Sequence, residues 1–236
     1  MSPRAILYLA MVAMLMPIVA AARYGFRQSP ARWWLVVWCV VLFVTDLAQI
    51  AVTKASGASL WTQYIITPVE DVIVLLMLSN WQRGDVARLT FRVIAPIFLV
   101  AWVLLVLMFE RTDNFSVFAH PFQALVMLAA TLFTLARGAL EETGQVTSRD
   151  WFWVTLGLSL FFAPGTALQP FAHEVYPVRP DLVLLAFYGK AAIDVVAFIL
   201  IARGMRCPPT RMPSGGSLPR RLWPPASSSS RSASPW

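Results

Sequence analysis

Seven apolar stretches, each long enough to cross a bilayer, occupy nearly all of the chain up to Arg203. A helix needs about 20 residues to cross a ~30 Å hydrocarbon core at ~1.5 Å per residue. Runs of that kind cover residues 5–22, 33–53, 60–80, 93–109, 117–136, 151–171 and 182–202. Thr62, Gln63, Thr67, Glu70 and Asp71 make the third the least apolar, yet residues 72–78 are strongly hydrophobic and it counts as a span. Strands of a membrane barrel would be shorter and would alternate. The expectation is therefore an all-α polytopic membrane protein, a bundle of seven transmembrane helices over residues 1–204.

Composition narrows the function classes. Charged residues are 13% of the chain, about half the share usual in soluble domains. The formal charge of +7 does not imply nucleic acid, because the arginines gather at span ends and in the C-terminal segment, as they do in a positive-inside membrane protein. Cys39 and Cys207 do not make a disulfide framework, and they form no ligand cluster with His120 and His173, so no metal site is expected. The chain also lacks a nucleophile elbow, a phosphate-binding glycine loop and a redox cysteine pair, so the sequence gives no positive sign of an enzyme.

Loop charge sets the expected orientation. Arg23, Arg27, Arg32, Arg83, Arg88, Arg92, Arg137, Arg149 and the arginines from Arg203 onward put 14 basic residues on one side. Arg4, Lys54, Arg111 and Arg179 put 4 on the other. That bias predicts an N-terminus outside and a C-terminus in the cytoplasm of a bacterial inner membrane. It also argues against reading residues 5–22 as a cleaved signal peptide, since the stronger positive cluster follows the apolar run. Residues 205–236, rich in Pro, Ser and Arg, bury too little apolar surface to offset ordering entropy and are expected to form a disordered cytoplasmic tail.

Polar side chains inside spans are costly, and they usually face a bundle interior or a cavity. The second span carries Asp46 and Gln49, the third Glu70 and Asp71, the fifth His120 and Gln123, and the seventh Lys190 and Asp194. Gln169 lies near the outer end of the sixth. Counted from each outer boundary, most of these fall roughly 9 to 18 Å below the outer surface. The convergence predicts one polar cavity in the outer half, built from ligand-binding candidates Asp46, Gln49, Glu70, Asp71, His120, Gln123, Lys190 and Asp194. Spans one and four carry nothing comparable and read as lipid-facing packing. Lys190 and Asp194, four apart on one helix face, can pair directly, either as part of a site or simply to neutralise one another. Glu70 and Asp71 are about 100° apart, so one of them, taken as Glu70, faces the cavity centre. Pro68 and Ala163-Pro164-Gly165 are expected to kink spans three and six and to free backbone carbonyls near the cavity.

The stretch Tyr64-Ile65-Ile66-Thr67-Pro68-Val69-Glu70, the opening Asp150-Trp151-Phe152 and polar residues four apart in the last span resemble a family of small bacterial seven-helix membrane proteins with no assigned activity. That resemblance implies an architecture and no ligand, and the family more often carries a neutral or imidazole-bearing pair where this chain has Lys190 and Asp194. Lys190 near mid-depth of the last span, with Trp61 and Thr67-Pro68 near Glu70, more faintly resembles microbial rhodopsins and implies retinal on Lys190. Against it, Ala186 stands where that family has an acid, and Phe161-Phe162-Ala163-Pro164 is a poor match to its aromatic cage. No cofactor is otherwise expected. The functional expectation is a receptor-like or sensory membrane component binding a small ligand or proton in the outer-half cavity. With no output domain evident, it would act through a membrane or cytoplasmic signalling partner. The alternative is a small transporter or channel using the same residues.

Overall fold

In hydrocarbon the backbone has no water to bond, so each long apolar run satisfies its N–H and C=O groups internally, as helix. The structure, a computed structural model, describes residues 3–24, 29–56, 60–110, 115–142 and 144–208. All regular structure among them is helical: α1 (Pro3–Tyr24), α2 (Pro30–Ser56), α3 (Leu60–Ser79), α4 (Asp85–Phe109), α5 (Ala119–Glu141), a short 3-10 turn (Val146–Ser148), α6 (Asp150–Phe162), α7 (Gly165–Val175) and α8 (Pro180–Arg206). Six spans are long and apolar enough to cross a membrane: Pro30–Ala55, Trp61–Ser79, Asp85–Phe109, Ala119–Glu141, Asp150–Val175 and Pro180–Arg206. By length and composition these are the helices of an integral membrane protein. The stretch expected to be the first span forms α1, whose apolar part, Tyr8–Tyr24, is shorter than these six.

The helices form a ring in chain order, closed by α1 packing along α8, with α3 also touching α5. In α3, 61% of the span is buried, against 22% in α2, α4 and α5, which explains how the least apolar span is accommodated. The outer helices turn their apolar side chains outward instead. Ile97, Val100, Leu104 and Leu107 of α4 are exposed, a surface that suits lipid and not water. Between helices the packing depends on small residues. A Cβ at Gly157 of α6 would lie 2.7 Å from the Ala197 carbonyl of α8, and one at Gly204 of α8 would lie 2.7 Å from Val154 of α6. The two glycines let these backbones approach closely, as small residues do in membrane bundles.

The two proline segments have different outcomes. The sixth span is two helices, because Pro164 offers no N–H to continue α6 beyond Phe162, and α7 restarts at Gly165. α3, by contrast, stays one helix through Pro68. Pro68 cannot donate to the Tyr64 carbonyl four residues back, and the Trp102 indole of α4 donates to that oxygen instead, at 3.1 Å. The tail expected over residues 205–236 falls mostly on residues 209–236, which lie outside the described residues; α8 itself runs to Arg206.

Candidate functional site

The polar residues of five helices meet in a cavity of about 230 Å³ at the end of the bundle that carries the α2–α3, α4–α5 and α7–α8 connections. Asp46 and Gln49 enter from α2, Glu70 from α3, His120 and Gln123 from α5, and Lys190 from α8. Thr45, Thr62, Gln63, Thr67 and Gln169 complete the polar lining, while Leu42, Ile66, Phe161 and Phe162 supply apolar walls. The break at Pro164 has a use here, since it brings Gly165 and Gln169 of α7 to the wall. Asp71 and Asp194 are not lining residues. Each sits behind the wall, bonded to one that is.

The Thr45 hydroxyl donates to Glu70 Oε1 at 2.9 Å, tying α2 to α3. Gln123 Nε2–H donates to Asp71 Oδ1 at 3.0 Å, tying α5 to α3. With its amide nitrogen committed to a carboxylate, Gln123 turns Oε1 toward His120 Nδ1, 3.2 Å away. The network therefore assigns the proton to Nδ1 and leaves Nε2 as an acceptor in the neutral ring. Lys190 Nζ donates to Asp194 Oδ2 at 2.6 Å and lies 4.7 Å from the Phe161 ring centre, a cation–π contact. Asp46 is within electrostatic reach of both Lys190 and Asp194.

Beneath the cavity the described helices are packed together by aromatic side chains. Trp38 of α2 meets Phe161 of α6 edge-on at 5.4 Å and stacks on Phe198 of α8 at 6.2 Å, while Phe161 and Phe198 meet at 5.7 Å. Val74, Met127 and Leu158, one turn further in from cavity residues on α3, α5 and α6, are fully buried.

Two residues that shape the site, and one that clamps the opposite end of the bundle, escaped the sequence reading. Glu110, just past α4, accepts hydrogen bonds from the Ser116 hydroxyl and the Phe118 and Ala119 N–H groups, all at 2.7 Å. It also accepts from the Tyr64 hydroxyl at 3.3 Å. An anion at the start of α5 satisfies orphan N–H groups and complements the helix dipole, so Glu110 fixes the helix that carries His120 and Gln123. Trp102 packs edge-on against His120 at 5.4 Å, so α4 is more than lipid-facing packing. At the opposite end Arg32, counted among loop charges, is buried. It donates to Asp150 Oδ2 at 3.1 Å and to the Cys207 carbonyl, joining the ends of α2, α6 and α8. Nothing in the sequence distinguished Glu110 or Arg32 from an ordinary solvated charge at a helix end. No known protein family, curated protein or solved structure matches this chain.

Proposed function

We propose that the chain is a seven-span, receptor-like or sensory component of a bacterial cytoplasmic membrane. It binds a small ligand in the outer-half cavity and acts through a membrane or cytoplasmic partner. The N-terminal end of α1 lies outside, so the cavity faces the periplasm. The observation that carries this reading is the contrast along the bundle axis. Polar side chains from α2, α3, α5, α7 and α8 gather at one end, and the Trp38–Phe161–Phe198 cluster packs beneath them. A receptor needs a packed floor, whereas a route for an ionic solute needs charged groups continuing inward; the polar Thr131, Thr155 and Ser159 found there are bonded to one another or to the helix backbone. Residues 33–45, 124–135, 151–160 and 195–201 carry no charge. A polar lining also suits a hydrated ligand better than an apolar chromophore, which weighs against retinal on Lys190.

Thiol labelling tests the reading. A membrane-impermeant maleimide added outside intact spheroplasts is expected to modify Gln49→Cys, and to reach Cys207 only after permeabilisation. Labelling of Gln49→Cys from the inside alone would overturn the orientation. Glu70-dependent solute flux in proteoliposomes would replace the receptor with the transporter.

A further inference from the structure

The buried polar atoms left without partners sort by kind along the bundle. Among the described residues those around the cavity are all acceptors: His120 Nε2, in the assigned tautomer, on its wall, and Asp71 Oδ2 and Asp194 Oδ1 behind it. At the opposite end they are all donors: Trp81 Nε1, Arg88 Nε and Arg149 Nε. A buried acceptor without a donor loses its hydration and gains nothing in return, so such atoms mark where a donor belongs. His120 itself lines the cavity.

Charge points the same way. Among the lining residues Lys190 is the one ammonium, set against Asp46 and Glu70 on the wall and Asp71 and Asp194 behind it. Lys190 is already matched to Asp194 and seated over Phe161. Asp46 and Glu70 are the acidic residues that line the cavity, and Gln49 and Gln169 add amide oxygens able to accept from the same ligand. The cavity, at about 230 Å³, is smaller than the roughly 300–1,000 Å³ of drug-sized sites, which limits the ligand to a compact one.

We infer that the cavity takes a small organic cation, a primary amine or diamine, whose N–H groups are received by Asp46 and Glu70 with His120 Nε2 as a further acceptor. The inference rests on the reading of the cavity as a ligand site. Carboxylates paired with amide and imidazole acceptors discriminate an ammonium from a neutral isostere, because the neutral molecule leaves the carboxylates uncompensated.

Three four-carbon probes separate the possibilities: putrescine, 1,4-butanediol and succinate, titrated calorimetrically into the full chain in neutral detergent. Putrescine is expected to bind at least about tenfold more tightly than the diol, with no binding of succinate. Asp46→Asn with Glu70→Gln should weaken putrescine by at least about tenfold while leaving a cooperative thermal melt. Should that variant not fold, protection supplies the answer in an otherwise unaltered cavity. Putrescine, and not the diol, should slow maleimide modification of Gln49→Cys. Equal or stronger effects of the diol or succinate would overturn the cation while leaving the cavity a ligand site. Putrescine binding that survives loss of both carboxylates, without protection of Gln49→Cys, would mean surface adsorption and would also overturn it. If none of the probes binds and Gln49→Cys is unreachable from outside, the ligand-site reading fails along with the inference.

Discussion

Lys190 and Asp194 show how a single pair was legible and what it is expected to do. A lysine in hydrocarbon demands a counter-charge, and the i, i+4 spacing supplied one on the same face. The 2.6 Å contact is that pair. Removing Lys190 alone leaves Asp194 with both oxygens uncompensated, and Lys190→Met should cost about 3 kcal/mol unless the carboxyl protonates. Lys190→Met with Asp194→Leu should recover much of the loss, and thermal melts of the two single variants and the double complete the cycle. Near-zero coupling would dismiss the pair. A visible absorbance band on adding retinal, lost in Lys190→Met, would instead favour the chromophore. Polar residues within spans were readable because hydrocarbon makes each of them costly. Glu110 and Arg32 were not, because at a helix end water explains a charge equally well. Glu110 now carries its own prediction. Burial alone would raise its carboxyl, but hydrogen bonds from the Ala119 N–H, the Ser116 hydroxyl and the Phe118 and Val117 N–H groups outweigh it, and the net effect is a lowering from about 4.5. A lowered folded-state value means stability that is fully present above about 4.5 and drains away as the pH falls through the folded-state value. Glu110→Gln should therefore melt lower than the native chain at neutral pH, with the difference shrinking in acid. A gap that held constant from neutral pH to pH ~3 would contradict this role.

At the scale of elements, the apolar runs located the helices because membrane thickness imposes their length, while their ends depended on chemistry the runs do not carry. α4 begins at Asp85 rather than near residue 93, since Arg88 and Arg92 can lie along a helix whose first turn is already at the membrane edge. Both proline expectations rested on the missing N–H, and the outcomes differ. At Pro164 the helix stops and α7 restarts. At Pro68 α3 continues, as α1, α4 and α7 do through Pro17, Pro96 and Pro170, and a neighbouring helix supplies a replacement donor, Trp102, to the Tyr64 carbonyl. That substitution is testable. Trp102→Phe keeps the ring but leaves the Tyr64 carbonyl short of the donor that replaces the missing N–H, and should cost about 1–3 kcal/mol. Pro68→Ala restores the helical N–H to that carbonyl, so adding it to Trp102→Phe should return a substantial part of the loss. In the cycle of melts the two changes are expected to couple by about 1 kcal/mol. Strict additivity would show that the indole acts through packing against His120 and not through the hydrogen bond.

At the scale of the whole molecule, the distribution of charge connects insertion, fold and site. The 14-to-4 bias survives the structural correction at Arg32, because discounting that buried residue still leaves 13 basic residues against 4. Several of the remaining arginines are tied into ion pairs. Arg83 and Arg149 hold Glu142 at 2.7 and 3.0 Å, and Arg137 holds Glu141 at 2.6 Å. Acidic residues contribute little to orientation, so these pairs do not weaken the inside assignment, and they knit the end of α5 to its neighbouring loops. The same end carries the buried Arg32–Asp150 clamp, whereas the opposite end carries the cavity. Insertion therefore fixes which compartment the cavity sees before any ligand is involved. Alkaline phosphatase fused after Arg206 should be inactive, while the same enzyme inserted between α2 and α3, beyond Lys54, should be active, as the proposed orientation requires. A reporter that works only in the cytoplasm should give the reverse pattern at both positions. The opposite outcome at the two sites would turn the cavity toward the cytoplasm, and any ligand would then have to come from inside the cell.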